Sequence, residues 1–262
     1  MDHVEVGRYW DGNAATWTAL ARAGYDVYRD YLNTPAFLEM LPDVDGLAGL
    51  DIGCGEGHNT RMLAGRGAKM TGVDISGVFI EQAIAREREE PVGVDYQVAS
   101  AVELPFAAGS FDFATGFMSF MDIPETDRVL AEAYRVLRPG GFLQFSIEHP
   151  CYCTPHRRNL RDEHGVTYAL EVGGYFDQTD GEISEWLFGA APAEVKAGLA
   201  KFKVPKFMRT VSSWLNLIIQ PGFVLEEVRE PRPSDETVAA CADMQDAQVV
   251  AYFLHMRARK SA

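Results

Sequence analysis

Three regimes of hydrophobic patterning follow one another along the chain. Residues 1–45 place apolar and aromatic side chains at helical spacing, among them Tyr9, Trp10, Trp17, Tyr25, Tyr28 and Tyr31, and Trp10 and Trp17 share a helix face one heptad apart. Residues 47–148 alternate short apolar runs with amphipathic stretches. The runs predict strands near 47–52, 69–74, 94–98, 111–117 and 141–148, and the stretches predict helices over 57–66, 76–90 and 124–137. Alternation at this spacing implies a mostly parallel sheet with helices on both faces. Arg138-Pro139-Gly140-Gly141 predicts a tight turn ending the fourth crossover. Residues 149–208 break the rhythm, with strands expected near 172–177 and 182–188; so long an excursion within a compact domain points to a functional lid. A helix near 209–220, a strand over Gly222-Phe223-Val224-Leu225 and a last strand from Ala247 to Met256 complete the pattern. The expected organisation is a helical N-terminal extension or cap (1–45), an α/β core (46–148), a lid for substrate (149–208) and a C-terminal completion of the core sheet (209–262).

The run Leu50-Asp51-Ile52-Gly53-Cys54-Gly55-Glu56-Gly57 stands where the first strand should give way to a helix. Glycines let the backbone turn sharply and bring it against a ligand without an intervening Cβ, and free N–H groups at a helix start attract negative charge. The register is G-x-G-x-G, with His58 where a dinucleotide fingerprint has its third glycine. One strand later comes Thr71-Gly72-Val73-Asp74-Ile75-Ser76, whose Asp74 sits at a strand end, where a carboxylate can accept both hydroxyls of a ribose. The glycine turn and the acid together point to an adenosine-type ligand.

Charge and composition narrow the class. The 262 residues are enough for one α/β domain with an insertion. A net charge of −14 argues against binding a phosphate backbone, which needs clustered Lys and Arg. No apolar run is long enough to span a bilayer, and Met1-Asp2-His3-Val4-Glu5 lacks the pattern of a signal peptide. Cys54, Cys151, Cys153 and Cys241 show no framework spacing, so a reducing, cytoplasmic protein is expected.

On these residues the chain resembles the class I S-adenosylmethionine-dependent methyltransferases of the methyltransferase type 11 group, strongly over residues 45–150 and loosely beyond. Asp51 to Gly57 is similar to the family's first motif, and Asp74 to its ribose-binding acid. Ala101-Val102-Glu103-Leu104-Pro105-Phe106 resembles the segment before the fourth strand, which Phe111-Asp112 opens, and Arg135-Val136-Leu137-Arg138-Pro139-Gly140-Gly141 resembles the motif before the fifth. The resemblance implies a Rossmann-like seven-stranded sheet. It also implies S-adenosyl-L-methionine as cofactor, S-adenosyl-L-homocysteine as product, and methyl transfer to an O, N or C nucleophile of a small molecule. Carried over residue by residue, Asp51 belongs to the first motif, while Gly53, Cys54 and Gly55 would line the methionine moiety. Asp74 would hold the ribose and Ile75 would pack on the adenine. Ser100, Ala101 and Val102 would form the adenine edge, and Phe117 and Met118 would lie under the sulfonium. The family often has an Asp at the position of Ser100, and a hydroxyl there makes a weaker bond without charge assistance. An NAD-linked enzyme on a similar fold and a catalytically silent cofactor-binding module remain as alternatives.

The acceptor side is less defined. His149, at the end of the fifth strand, is a candidate general base, since an imidazole suits proton transfer at neutral pH; the alternative is a histidine bonded to backbone that orders the lid entrance. His149, Cys151, Cys153 and His156 lack the spacing of a tetrahedral metal site, so no metal is expected and the cysteines read as ordinary buried thiols. Tyr9, Tyr25, Arg29, Tyr175 and Trp214 are candidate substrate contacts. Tyr9, Trp10 and Trp17 would cap the cofactor or pack on the sheet, and Gly173-Gly174-Tyr175-Phe176 with Trp186 would face a flat substrate or form a small core. Arg209 to Leu215 resembles a segment that faces the active site in related enzymes, many of which carry His where this chain has Met208. Lys201, Lys203 and Lys206 read as a solvated basic face.

Overall fold

The computed structural model describes residues 1–177 and 179–262. The helical extension is α1 (His3–Arg22), a π-helical turn over Arg29–Asn33, and α2 (Thr34–Met40). Asp2 caps α1, its side chain accepting from Glu5 N–H at 2.8 Å. The core follows as β1 (Ala48–Ile52), α3 (His58–Ala64), β2 (Lys69–Asp74), α4 (Gly77–Glu89), β3 (Asp95–Val98), β4 (Phe111–Phe117), α5 (Thr126–Val136) and β5 (Leu137–Glu148). Two antiparallel hairpins come next, β6 (His156–Arg161) with β7 (Thr167–Gly173), then β8 (Glu182–Trp186) with β9 (Phe202–Lys206) across the short α6 (Ala193–Lys196). The chain ends with α7 (Val211–Ile219), β10 (Phe223–Arg229), α8 (Asp235–Ala240) and β11 (Phe253–Lys260).

Seven strands form one sheet in the order β10-β11-β5-β4-β1-β2-β3. The strands from β3 to β5 run parallel, and β11 is antiparallel to both β5 and β10. The expected α/β fold, seven-stranded and mostly parallel, is therefore the one observed. The sequence spells it out because the inner strands are apolar on both faces: Leu50, Ile52, Phe113, Ala114, Leu143, Phe145 and Ile147 are all fully buried. Val129, Leu130, Ala133 and Val136 of α5 form the stripe that covers one face, joined by Trp214 and Ile218 of α7. Phe37 of α2 packs on the other face with Phe113, Phe117 and Phe142.

Four expectations need correction. Residues 138–141 lie within β5 rather than in a separate turn, because Phe111 still pairs with Leu137 and the ladder resumes at Phe113 with Phe142; the Pro-Gly pair is absorbed as an irregularity at the strand's edge. The strand expected at 172–177 ends at Gly173, and its partner β6 was missed because His156–Arg161 carries almost no apolar alternation. The last strand begins at Phe253, and residues 242–248 form a 3-10 helix instead. The segment carrying Lys201, Lys203 and Lys206, expected as a solvated basic face, contains the strand β9.

Trp17 joins Leu20, Trp186, Phe188 and Phe202 in a separate cluster that fastens α1 to the β8–β9 hairpin. Its ring centroid stands 4.9 Å from Phe188 and 5.3 Å from Trp186, in edge-on geometry. Trp17 is therefore part of a packing layer between extension and insertion.

Candidate functional site

The C-terminal ends of β1, β2, β4 and β5 open onto a cavity of about 1320 Å³, roofed by the helical extension and by β8, β9 and the segment after β5. Pockets for one small ligand run to roughly 300–1,000 Å³, so the space is large enough for two ligands side by side.

One end is built from the glycine turn. Gly53 N–H and Cys54 N–H both donate to Val73 C=O, at 2.8 and 3.0 Å, which draws the turn onto β2. Gly53 has φ +75°, and a Cβ there would lie 2.4 Å from Ser119 Cβ. Gly55 has φ +54° and opens onto empty space, since an added Cβ would meet nothing within 4 Å. The turn therefore offers bare backbone to the cavity. Asp51, fully buried beneath it, accepts from Thr60 Oγ1 at 2.6 Å and Thr115 Oγ1 at 2.9 Å, and burial still pushes its carboxyl up to about 6. Asp51 is thus a fastener between β1, α3 and β4. α3 has only seven residues, so the helix-dipole contribution expected from sequence is small.

Asp74 closes this end. Oδ2 accepts from Gly55 N–H at 2.8 Å and Oδ1 from Ser76 N–H at 2.9 Å. A carboxylate has about four acceptor positions, so each oxygen keeps one for a ligand. Burial raises Asp74 to about 6, against those two backbone donors. Ser76 caps α4 and donates to Asp11 of α1 at 2.7 Å, which fixes the extension over this end. Gly7 of α1 belongs to the same contact: a Cβ there would come within 3.1 Å of Ile75, which lines the cavity. Ser100, Ala101, Phe117 and Met118 line it too, whereas Val102 is 4% exposed and turned into the core. Met118 is the only non-glycine residue with positive φ among those described (φ +53°), a strained conformation that the Met118 N–H bond to Ser146 C=O helps to hold.

The expected acceptor-side residues divide. Tyr25 and Arg29 line the cavity. Arg29 comes from the π-helical turn, donates to Asp30 at 2.7 Å and stands 3.9 Å from Glu56. Tyr9 and Tyr175 do not line it; the Tyr175 hydroxyl accepts from Val211 N–H at 2.9 Å and anchors the start of α7. Trp214 is 2% exposed in the main core, because the apolar face of α7 packs down on the sheet rather than toward the ligand space.

His149 is also turned away. Nε2 lies 2.8 Å from Glu230 Oε1, Nδ1 accepts from Cys151 N–H at 3.1 Å, and its backbone N–H donates to Tyr252 C=O. Both ring nitrogens are committed outside the cavity, so the candidate general base is an anchor for the chain leaving β5. Replacing His149 by Gln is expected to cost about 1–2 kcal/mol of stability, little of it from the largely exposed Glu230 partner, and to leave ligand binding unchanged. Urea denaturation beside calorimetry checks this; unaltered stability with lost turnover would reinstate the base.

Its neighbour Glu148 faces the cavity instead. Lys206 Nζ, at the end of β9, donates to Glu148 Oε2 at 2.9 Å. Asp122, in the single 3-10 turn Phe120–Asp122 after β4, completes the group; it is 5% exposed, and its Oδ1 has no hydrogen-bond partner. Burial raises Asp122 to about 7, with the Lys206 ammonium opposing and Glu148 adding to the rise. Burial is the largest single influence on Glu148 and Lys206 and opposes both charges, but the surrounding contacts together outweigh it: Lys206, the Cys153 thiol and Arg157 lower Glu148, and Glu148, Asp122 and Cys153 raise Lys206. Lys201 and Lys203 are exposed as expected; Lys206 is not part of a solvated face. These three residues were missed because they meet only through the fold. The signal available was the position of Glu148 at a strand end.

Beside them stand three tyrosines, two stacked and the third tilted against them. Tyr152 and Tyr252 have centroids 3.7 Å apart, Tyr28 lies 5.2 Å from Tyr252, and the Arg157 guanidinium sits 3.8 Å over the Tyr152 ring. Among the described residues no group of three or more His, Cys, Asp or Glu side chains is placed to hold a metal ion. The four cysteines are free, and Cys151 is exposed rather than buried.

Known proteins share parts of this geometry. Residues 50–145 match the family model described as a methyltransferase domain. An O-methyltransferase of Penicillium expansum is 35% identical over 159 residues, which span 58% of this chain and 55% of that protein. The 27-O-demethylrifamycin SV methyltransferase of Amycolatopsis mediterranei is 36% identical over 138 residues, 52% of this chain and 47% of that protein. The chain thus spans about half the length of the curated relatives it matches. A crystal structure of an S-adenosylmethionine-dependent methyltransferase from Mesorhizobium loti superposes with a TM-score of 0.69 at 29% identity, covering 86% of this chain and 96% of that one. Among the described residues no helix is long and apolar enough to cross a membrane. Residues 50–145 thus form a methyltransferase domain, and the fold around them is similar to that of S-adenosylmethionine-dependent methyltransferases.

Proposed function

We propose that this protein transfers a methyl group from S-adenosyl-L-methionine to an O, N or C nucleophile of a small molecule. The observation that carries the proposal is the continuity of one cavity from the glycine turn and Asp74 at one end to the tyrosine wall and the Asp122–Lys206–Glu148 group at the other. When bound, the cofactor supplies a methyl group already activated by its positive sulfur. The protein's part is then alignment, exclusion of water and handling of a proton.

The residues present fit that cofactor. The free acceptor positions of Asp74 suit the two ribose hydroxyls, and the open side of Gly55, with Gly53 and Cys54, suits the methionine moiety. Ile75, Ser100 and Ala101 form the adenine side, and Phe117 with Met118 forms the floor where the sulfur would lie. Val102 packs behind this wall, and Asp51 holds the turn in shape. Tyr25 and Arg29 bound the acceptor space from the extension. Residues 149–208 act as its lid, supported by the hairpin β8–β9 and its aromatic seam with α1.

The acceptor is a small molecule rather than nucleic acid: the net charge of −14 opposes a polyanion, and the relatives named above as O-methyltransferase and demethylrifamycin methyltransferase support a small acceptor. Four free cysteines support a reducing, cytoplasmic setting. No observation favours an NAD-linked enzyme or a silent module. Incubation with methyl-tritiated cofactor and a fractionated metabolite extract tests the reading. Label should enter a small-molecule fraction; cofactor binding with no transfer to any fraction would reduce the protein to a binding module.

A further inference from the structure

Resting on the methyl-transfer reading, we infer that Asp122 takes the proton from the acceptor while Lys206 holds the oxyanion, and that the acceptor is a phenolic or enolic hydroxyl on a flat, largely apolar molecule. Asp122 reaches the cavity from the turn after β4, Glu148 from the end of β5 and Lys206 from the end of β9. Asp122 is almost fully buried with Oδ1 unpartnered, and the charged groups facing it are Lys206 and Glu148, with the Cys153 thiol beside Glu148. A buried carboxylate without a hydrogen bond costs stability and is retained where it has a task. Lys206 uses one of its three donors on Glu148. Its remaining donors suit an oxygen that gains negative charge, and its ammonium repels a protonated amine. Tyr28, Tyr152 and Tyr252 line the cavity as an apolar wall for a flat molecule, the faces of Tyr152 themselves being taken by Tyr252 and the Arg157 guanidinium.

The step balances. The acceptor O–H bond breaks and its proton passes to the Asp122 carboxylate. An oxygen lone pair forms the new O–C bond to the methyl carbon, and the C–S bond pair stays on sulfur, leaving neutral S-adenosylhomocysteine and a methyl ether. The proton leaves Asp122 to solvent when the products depart.

Three measurements on the whole protein test this. First, carbon-13 NMR of aspartate-labelled protein saturated with S-adenosylhomocysteine should show a carboxyl titrating at about 7, above those of Asp26 and Asp51 at about 6, absent in D122N and shifted upward in K206M, where the opposing cation is gone. Second, D122N should raise the melting temperature by a few degrees at about pH 8 and leave it unchanged at about pH 4, because the raised pKa makes ionisation of Asp122 oppose folding only above the unfolded value. Third, tritium transfer should be assayed with naphthols and matched naphthylamines. Label should enter the naphthols, and D122N should lower kcat on the order of 10²-fold while S-adenosylhomocysteine affinity stays within about twofold.

Label in the naphthylamines alone, label only at nitrogen or carbon of metabolite-extract compounds, undiminished kcat in D122N, or an Asp122 that stays ionised across the titration would each overturn the inference and leave methyl transfer standing. Binding without transfer to any acceptor removes the methyl-transfer reading, and this inference with it.

Discussion

Replacing Asp74 by alanine is expected to weaken S-adenosylhomocysteine binding on the order of 10²–10³-fold. A hydrogen bond to a charged group contributes about 1.5–3 kcal/mol, and the free positions on the two Asp74 oxygens suit two ribose hydroxyls. The gross loss of about 3–6 kcal/mol is offset in part, because burial already opposes this carboxylate and holds it at about 6. The substitution also frees Gly55 N–H and Ser76 N–H, so the glycine turn loses a tether of its own. The same raised pKa sets a pH dependence with a definite sign. In the empty protein, ionisation of Asp74 opposes folding, so its effect favours stability as pH falls from about 6 toward the ordinary carboxylate value of 3.8. Ligand binding runs the other way: hydroxyl donors need the charged form, so affinity should decline below about pH 6 by up to tenfold per unit. Calorimetry across that range checks both, and wild-type affinity in a folded D74A protein would remove Asp74 from the ribose role.

Gly53→Ala is expected to destabilise the fold by about 2–5 kcal/mol and to abolish measurable cofactor binding. At φ +75° an L side chain carries about 1–2 kcal/mol of backbone strain. The new Cβ would lie 2.4 Å from Ser119 Cβ, and forcing such a contact apart costs about 1–3 kcal/mol more. Ser119 has little freedom to retreat, since its hydroxyl donates to Ile52 C=O at 2.7 Å across the same strand ends. Relief would come by moving the turn off Val73 C=O, which opens the ligand wall. Gly55→Ala is the informative partner: with open space around its Cβ it should cost only the backbone strain, about 1–2 kcal/mol. Urea denaturation separates the two, and equal losses would mean that the turn is strained rather than crowded.

The cofactor end was legible in the sequence because its chemistry is local. Gly53, Gly55 and Asp74 lie one βαβ unit apart, and strand length and register follow from apolar runs that are buried on both faces. The acceptor end was not legible, for three physical reasons. Alternation along an extended chain sends successive side chains to opposite sides, so of Glu148 and His149 only one could face the cavity, and the sequence argument weighed only His149, which does not line it. An amphipathic helix announces a buried face without saying what buries it, which is how Trp214 passed for a substrate contact. Lys206 belonged by composition to a run of solvated lysines, yet the β8–β9 hairpin carries it beside Asp122, 84 positions away in a segment with no catalytic pattern. Tyr9 and Tyr175 illustrate the same limit: aromatic residues in an extension or insertion pack on whatever is near, here outside the cavity.

Titration calorimetry of the purified protein with S-adenosylhomocysteine at about pH 8 tests the central claim most directly, because it depends on the glycine turn and Asp74 and needs no knowledge of the acceptor. The account predicts one molecule bound per chain, with a dissociation constant of about 100 µM or tighter, and binding weaker on the order of 10²–10³-fold in D74A. No heat and no thermal stabilisation at millimolar ligand would contradict it.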